Sequence, residues 1–352
     1  AGEVWLQRLG WCVGVNDRMR HLTFRHAAKL MGTQRRPVLS RHRLPQRHPA
    51  SFSDTHTNKY TPLPAAFDAR LAWPLCNASI SRVRDQGVCG SCWAFGAVET
   101  LADRFCITSQ PYQKTAGEIP RNGNVSQSTV VLSPEYLLSC ATKCDGCDGG
   151  YVDEAWRFLT SHGVDDEACT PYLQIEEAGG CPTLCTPRSP GTANVMRLYK
   201  SADAYSPGRD QFSIMHEIRS HGPVEATFWV YSDFMNYKSG VYIRPKGASL
   251  MGGHAVKIIG WGSSDEGVPY WTVVNSWGVH WGEKGLFRIR RGTNECQIED
   301  EIAAGTPSSL PSLSSPDAAS VSRIEKMEVV DEVRVEAKGV QQWWQPRGVG
   351  VS

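Results

Sequence analysis

Gln86-Gly87-Val88-Cys89-Gly90-Ser91-Cys92-Trp93-Ala94-Phe95 decides more about this chain than any other stretch of its 352 residues. A polar amide stands six residues ahead of Cys92, and an apolar run of helical character, Trp93 to Leu101, follows it. The pattern places Cys92 on the first turn of a helix, where unpaired backbone N–H groups and the positive end of the helix dipole favour thiolate over thiol. With a histidine to assist, such a setting draws a cysteine pKa down to roughly 3.5–7.5. The expectation is a nucleophile.

The same residues also read as Cys-x-x-Cys, as do Cys144-Asp145-Gly146-Cys147, which raises a redox dithiol or a four-cysteine zinc site. The pairs have 51 residues between them, against about 15–20 in zinc ribbons, and no βαβ pattern precedes the first. Neither a metal nor another cofactor is therefore expected. Further along, Gly252-Gly253-His254-Ala255-Val256 and Tyr270-Trp271-Thr272-Val273-Val274-Asn275-Ser276-Trp277-Gly278 place His254 and Asn275 162 and 183 residues after Cys92. Singly, His254 reads as an ordinary buried histidine and Asn275 as a turn residue. In the order Cys, His, Asn they read as a nucleophile, its base and the group that orients the base.

Cys89 to Trp93, with these two downstream segments, resembles the papain-like cysteine proteases. Leu63-Pro64-Ala65-Ala66-Phe67-Asp68-Ala69-Arg70-Leu71-Ala72-Trp73-Pro74 resembles the mature start of their cathepsin B-like subgroup. The spacings from Cys92 exceed the usual ~130–150, so an insertion is implied between the two halves. The resemblance implies a cysteine endopeptidase acting on protein and peptide substrates, with cystatin-like inhibitors as further partners and a monomeric state. In it Cys92 attacks the peptide carbonyl and His254 protonates the leaving amine. Asn275 orients His254, Gln86 and the Cys92 N–H donate to the oxyanion, and Trp277 shields the Asn–His bond. By position, Glu301 matches the acidic floor of the S2 pocket, with Thr227 and Ala255 as its walls. A carboxylate there suits Arg at P2 as well as apolar side chains. The rivals are a silent peptide-binding relative and a thiol-disulfide oxidoreductase.

The implied fold is α+β and two-lobed, a helical lobe and a β-barrel-like lobe with the active-site cleft between them. Periodicity agrees: helices are expected at roughly 93–106, 133–140 and 151–162, the second opened by Ser133-Pro134-Glu135. Strands are expected at Val224 to Val230, Ala255 to Trp261, Tyr270 to Asn275 and Gly285 to Arg290. Gly149 and Gly150 would expose backbone to pair with an extended peptide.

Three segments follow: residues 1–62 as an inhibitory propeptide, 63–307 as the catalytic domain, and 308–352 as a low-complexity extension. In the leader, Trp11, Asn16 and Leu30-Met31-Gly32 echo the short cathepsin B type of propeptide. The formal charge of +1 gives no hint of nucleic acid binding. Residues 1–62, however, hold 11 Lys and Arg against 3 Asp and Glu, while 63–307 hold 21 against 27. A basic leader faces an acidic body, and acid is expected to weaken their attraction.

Twelve cysteines point to an oxidising compartment, and Asn77-Ala78-Ser79 and Asn124-Val125-Ser126 are glycosylation sequons. With no run of 18 apolar residues, no membrane span is expected; the secretory pathway, lysosome-like or extracellular, is the expected location. The resemblance implies disulfides Cys76–Cys106, Cys89–Cys147, Cys140–Cys181 and Cys169–Cys185, with Cys12, Cys92, Cys144 and Cys296 unpaired. Residues 170–180 contain no histidine. In the cathepsin B-like subgroup a loop there carries two histidines that capture a substrate's C-terminal carboxylate, and this chain resembles the protist enzymes that lack it.

Overall fold

The computed structural model describes residues 4–6, 10–35, 43–47, 62–109, 130–173, 180–185 and 196–309, all within one unit, Ala1–Pro311. Asn124, Glu176, Glu177, Tyr60, His42, His48, His56 and everything after residue 309 lie outside the described residues.

The leader contributes β1 (Val4–Leu6), β2 (Trp11–Val13) and α1 (Phe24–Lys29). The body begins with β3 (Phe67–Asp68) and two short helices, α2 (Ala69–Ala72) and α3 (Asn77–Ile80). The helical lobe is then built from α4 (Cys92–Ser109), α5 (Pro134–Cys140) and α6 (Val152–Ser161). After α7 (Gln211–His221) come β4 (Val224–Tyr231), β5 (Tyr237–Tyr242), β6 (Leu250–Ser263), β7 (Pro269–Val274), β8 (Leu286–Arg290) and β9 (Ile302–Ala303). This is the expected α+β papain-like arrangement. Ser133 caps α5 as expected, its side chain accepting from the Tyr136 N–H, with Pro134 in the first turn.

The strands form one mixed sheet in the order β1-β2-β5-β8-β7-β6-β4-β9, with β3 paired to β6. β5 and β8 run parallel. β6 is longer than the sequence suggested because it serves two neighbours, β4 from Leu250 to Ile258 and β7 from Lys257 to Ser263. The leader extends the same sheet, since β2 pairs antiparallel with β5, Trp11 opposite Gly240. Trp11 is fully buried there against Tyr237 and Tyr242. The Asn16 amide donates to the carbonyls of Met235 and Tyr237 at 3.0 Å.

α4 is buried along nearly its whole length, so its charged residues need partners. Arg104 is almost inaccessible and donates to Glu217, Tyr205 and the carbonyls of Gly222, Pro223 and Gly305. Asp103 meets Lys257 of β6 at 2.7 Å. Trp156 of α6 donates to Glu225 of β4 at 2.6 Å. These buried polar contacts tie the helical lobe to the sheet. Disulfides join Cys76 to Cys106, Cys89 to Cys147, Cys140 to Cys181 and Cys169 to Cys185, and Cys12, Cys92, Cys144 and Cys296 are free. Asn77 of the first sequon is exposed. Among the described residues no helix is long and apolar enough to cross a membrane.

Candidate active site

Cys92 opens α4. The Ser91 carbonyl takes the first helical bonds, from the N–H groups of Ala94 and Phe95, which leaves the Cys92 N–H at the helix end without an intrahelical acceptor. His254 comes from β6, opposite Phe228 of β4, and Asn275 directly follows β7. His254 Nε2 lies 2.8 Å from Asn275 Oδ1. The Ser276 N–H also donates to Asn275 Oδ1, at 2.8 Å, which marks that atom as an acceptor and makes His254 Nε2 the donor. The neutral ring therefore keeps its lone pair on Nδ1, which is buried. Trp277, fully buried, lies against the His254 ring at 4.7 Å between centroids.

Gln86 is held on all sides. Its N–H donates to the Ser276 carbonyl at 2.9 Å, and the Ser276 hydroxyl donates to Gln86 Oε1 at 2.6 Å. Tyr172 donates to the Gln86 carbonyl at 2.8 Å and sits 2.8 Å from the Ser91 hydroxyl. Gln86 Nε2 is thereby aimed outward, and it donates to the carbonyls of Cys89 at 2.8 Å and of Leu30, in the leader, at 3.1 Å.

The leader runs through the cleft as an extended segment with a single bridge, Thr33 to Gly150. The Gly150 N–H donates to the Gly32 carbonyl at 2.8 Å and the Gln34 N–H to the Gly150 carbonyl at 2.9 Å, while the Thr33 N–H donates to the Gly253 carbonyl at 3.1 Å. The Thr33 hydroxyl lies 3.1 Å from Cys92 Sγ. Of the two glycines expected to pair with a peptide, only Gly150 does. The backbone of Gly149 is committed to its own turn with Asp145 and Gly146, and Gly149 instead leaves room for the Gly32 carbonyl.

This cover reverses the expected ionisation. Burial raises the Cys92 pKa, and bonds to its sulfur from Thr33 and from the backbones of Ala255 and Gly32 offset that only in part. Burial also lowers His254 to about 4, against the Asn275 bond and the Leu30 carbonyl. Beneath the leader, desolvation thus favours the uncharged forms of both groups.

Thr227 of β4 donates to Glu301 Oε2 at 2.9 Å, so Glu301 stands beside one of its expected walls. Facing it is Arg35 of the leader, whose Nε lies 3.6 Å from the same oxygen. The Arg35 fork donates to both Gln297 oxygens, Oε1 at 3.0 Å and the carbonyl at 3.1 Å, and its carbon stands 5.1 Å over the Trp229 ring. Thr33, Arg35, Tyr172, Trp229, Ser276 and Gln297 were not singled out from the sequence. For Arg35 a signal existed: a basic side chain lies three residues beyond the Leu30-Met31-Gly32 echo, in a chain expected to seat arginine over Glu301.

The papain family cysteine protease model matches residues 63–306. Cathepsin B-like cysteine proteinase 4 of Caenorhabditis elegans is 44% identical over 271 residues, covering 70% of this chain and 76% of that protein. Cathepsin B-like CP3 of Giardia intestinalis is 41% identical over 247 residues, covering 70% and 75%. Among solved structures, procathepsin B S9 from Trypanosoma congolense superposes with a TM-score of 0.70 at 32% identity, over 85% of this chain and 93% of that one. With a cysteine at a helix start, a leader in the cleft and this kinship, the chain belongs to the papain family of cysteine proteases, among its cathepsin B-like members, and is a cysteine peptidase in its proform.

Proposed function

We propose that Cys92, His254, Asn275 and Gln86 make this chain a cysteine endopeptidase once the leader, residues 1–62, has been displaced from the catalytic domain, residues 63–307. Cys92 Sγ attacks the substrate carbonyl carbon as the thiol proton passes to His254 Nδ1. His254 returns that proton to the leaving amine, and water then hydrolyses the thioester, releasing the carboxylic acid and restoring the thiol. Gln86 Nε2 and the Cys92 N–H stabilise the oxyanion, a type of contact whose loss lowers rate by roughly 10²–10³. The observation that carries the reading is the bond from Gln86 Nε2 to the Leu30 carbonyl: a peptide carbonyl already sits on the donor that an oxyanion needs, beside the buried thiol.

Glu301 supports Arg at P2 as well as apolar side chains. The histidine-free stretch 170–180 supports endopeptidase rather than dipeptide-releasing action; sequential dipeptide release from a free C-terminus would contradict it. The disulfides and the exposed Asn77 support a life in the secretory pathway, lysosome-like or extracellular. A cystatin-like inhibitor is the matching partner, and the body is read as a monomer.

The decisive experiment is labelling of the activated protein with a thiol-alkylating epoxide. One label per chain at Cys92, with matching loss of peptide hydrolysis, is expected. The Cys92→Ala variant should neither label at that position nor turn over while keeping its fold. Hydrolysis that survives in Cys92→Ala would overturn the assignment.

A further inference from the structure

We propose that Gln297 and Trp229 complete a guanidinium clamp over Glu301, so that the pocket beside Cys92 selects arginine over lysine. As a statement about substrates this rests on the peptidase reading above. A carboxylate alone cannot make that choice, because it attracts an ammonium as well as a guanidinium. Gln297 can. Its side-chain and main-chain oxygens take hydrogens from two different nitrogens of one planar fork, Arg35 Nη1 and Nη2. A lysine ammonium, a point charge on a flexible stem, has no second arm to place. Trp229 contributes twice: its ring lies under the guanidinium, and its Nε1 donates to Gln297 Oε1 at 2.8 Å. The second bond holds the amide in place before any arginine arrives.

The backbone supplies an independent observation. Asn294, Cys296 and Gln297 have φ of 53°, 50° and 63°, the left-handed region that side-chain-bearing residues seldom enter. Strain of this sort persists where surrounding structure imposes it and concentrates at ligand clamps. Here it falls on the turn whose Gln297 presents both carbonyl oxygens to Arg35. The seated arginine has only 6% of its side chain exposed, although Gln297 itself is at the surface.

Two measurements test the clamp. In the full chain, the rate at which an epoxide alkylates Cys92 reports how firmly the leader is seated. Arg35→Lys should raise that rate about tenfold, and in a Gln297→Gly background the same change should add less than twofold. Gln297→Gly suits this purpose because glycine is at ease at φ 63°. In the activated protein, with sites counted by epoxide titration, kcat/KM is measured on dipeptidyl coumarinamides sharing P1 Arg and carrying Arg, Lys, citrulline or Phe at P2. Gln297→Gly should lower P2 Arg about tenfold, lower P2 citrulline, which has one terminal nitrogen to donate, by less, and leave P2 Lys and P2 Phe within about twofold. An Arg-to-Lys ratio unmoved by Gln297→Gly, or Arg35→Lys leaving the leader as firmly seated as in the parent chain, overturns the clamp while Cys92-dependent hydrolysis stands. Coupling between Arg35 and Gln297 in a chain that cleaves no peptide would instead retain the clamp and remove the peptidase reading.

Discussion

His254 shows how one residue changes role with its surroundings. Its Nε2 is committed to Asn275, and its Nδ1 waits beneath the leader in a place that refuses a proton. Asn275, Ser276 and Gln86 form one connected set, because Ser276 donates to Gln86 with its hydroxyl and to Asn275 with its N–H. The orientations of His254 and of Gln86 are thus linked through Asn275 and Ser276, neighbours on one turn. Glu301 invites a prediction at this scale. A charge-assisted hydrogen bond is worth about 1.5–3 kcal/mol, but the 3.6 Å separation from Arg35 is long for one. Glu301→Ala should therefore lower kcat/KM for P2 Arg substrates about tenfold, the low end of that range, and leave P2 Phe nearly unchanged; an equal fall for both would remove Glu301 from the pocket. Cys92, His254, Asn275 and Gln86 could be singled out from residue type and spacing, and the structure joins His254 to Asn275 and Gln86 to Ser276 beside it. Tyr172 and Ser276 were not, because a hydroxyl shows its purpose only by what lies within 3 Å of it.

Among the elements, α4 and the leader segment in the cleft carry the most. The expected helices start and stop within a few residues of those observed, and α5 opens at the Ser133 cap that its own sequence supplies. The leader segment is different, for nothing in Gly32-Thr33-Gln34-Arg35 alternates or caps. It lies extended, bridged at Thr33, because Gly150 and Gly253 offer it backbone on both sides. Gly32 is the point where it comes closest to the body: a Cβ there would lie 1.7 Å from the Gly90 carbonyl oxygen. Gly90 cannot yield, since its own N–H is bonded to the Cys147 carbonyl and the adjacent Cys89 is tied by a disulfide to Cys147. Gly32→Ala should therefore unseat the segment without unfolding the body. Epoxide alkylation of Cys92 in the full chain at neutral pH should accelerate at least tenfold, with the melting of the catalytic domain preserved. A rate equal to that of the parent chain would show that the leader silences the site from elsewhere.

At the scale of the whole molecule, the leader is held chiefly by burial. Trp11 and Leu30 are fully buried in the sheet-side core, whereas the ion pair of Arg18 with Asp85 is partly open to water, a setting in which such a pair contributes about 0–1 kcal/mol. Charge adds to this grip chiefly where the pair is itself buried, as Arg35 is against Glu301. Acid acts through His254. Its pKa beneath the leader is about 4, against ~6.5 in water, so the closed state excludes a proton that the open state accepts. Closure therefore favours the neutral ring and weakens as pH falls toward 4. Glu301 runs the other way, because burial raises its pKa and makes protonation easier with the leader seated. Exchange of the Thr33 and Gln34 amides in a Cys92→Ala full chain, corrected for intrinsic pH dependence, should quicken between pH 6.5 and 4. It should respond weakly to salt at pH 7, and adding His254→Ala should flatten the pH response. A steep salt effect with no role for His254 would restore charge attraction as the dominant grip.

Residue type and spacing by themselves singled out Cys92, His254, Asn275 and Gln86, and a family resemblance matched the four pairs of cysteines that the structure joins. These are local or positional properties, written in residue type and spacing. Only the tertiary structure decided the ionisation of the site. Burial pushes the Cys92 thiol up, while Thr33 and Gly32, some sixty residues earlier in the chain, contact its sulfur and act the other way. The same holds for Arg35 over Glu301: two opposite charges separated by most of the chain meet because the fold returns its own leader to the cleft, and no periodicity in either segment records that meeting.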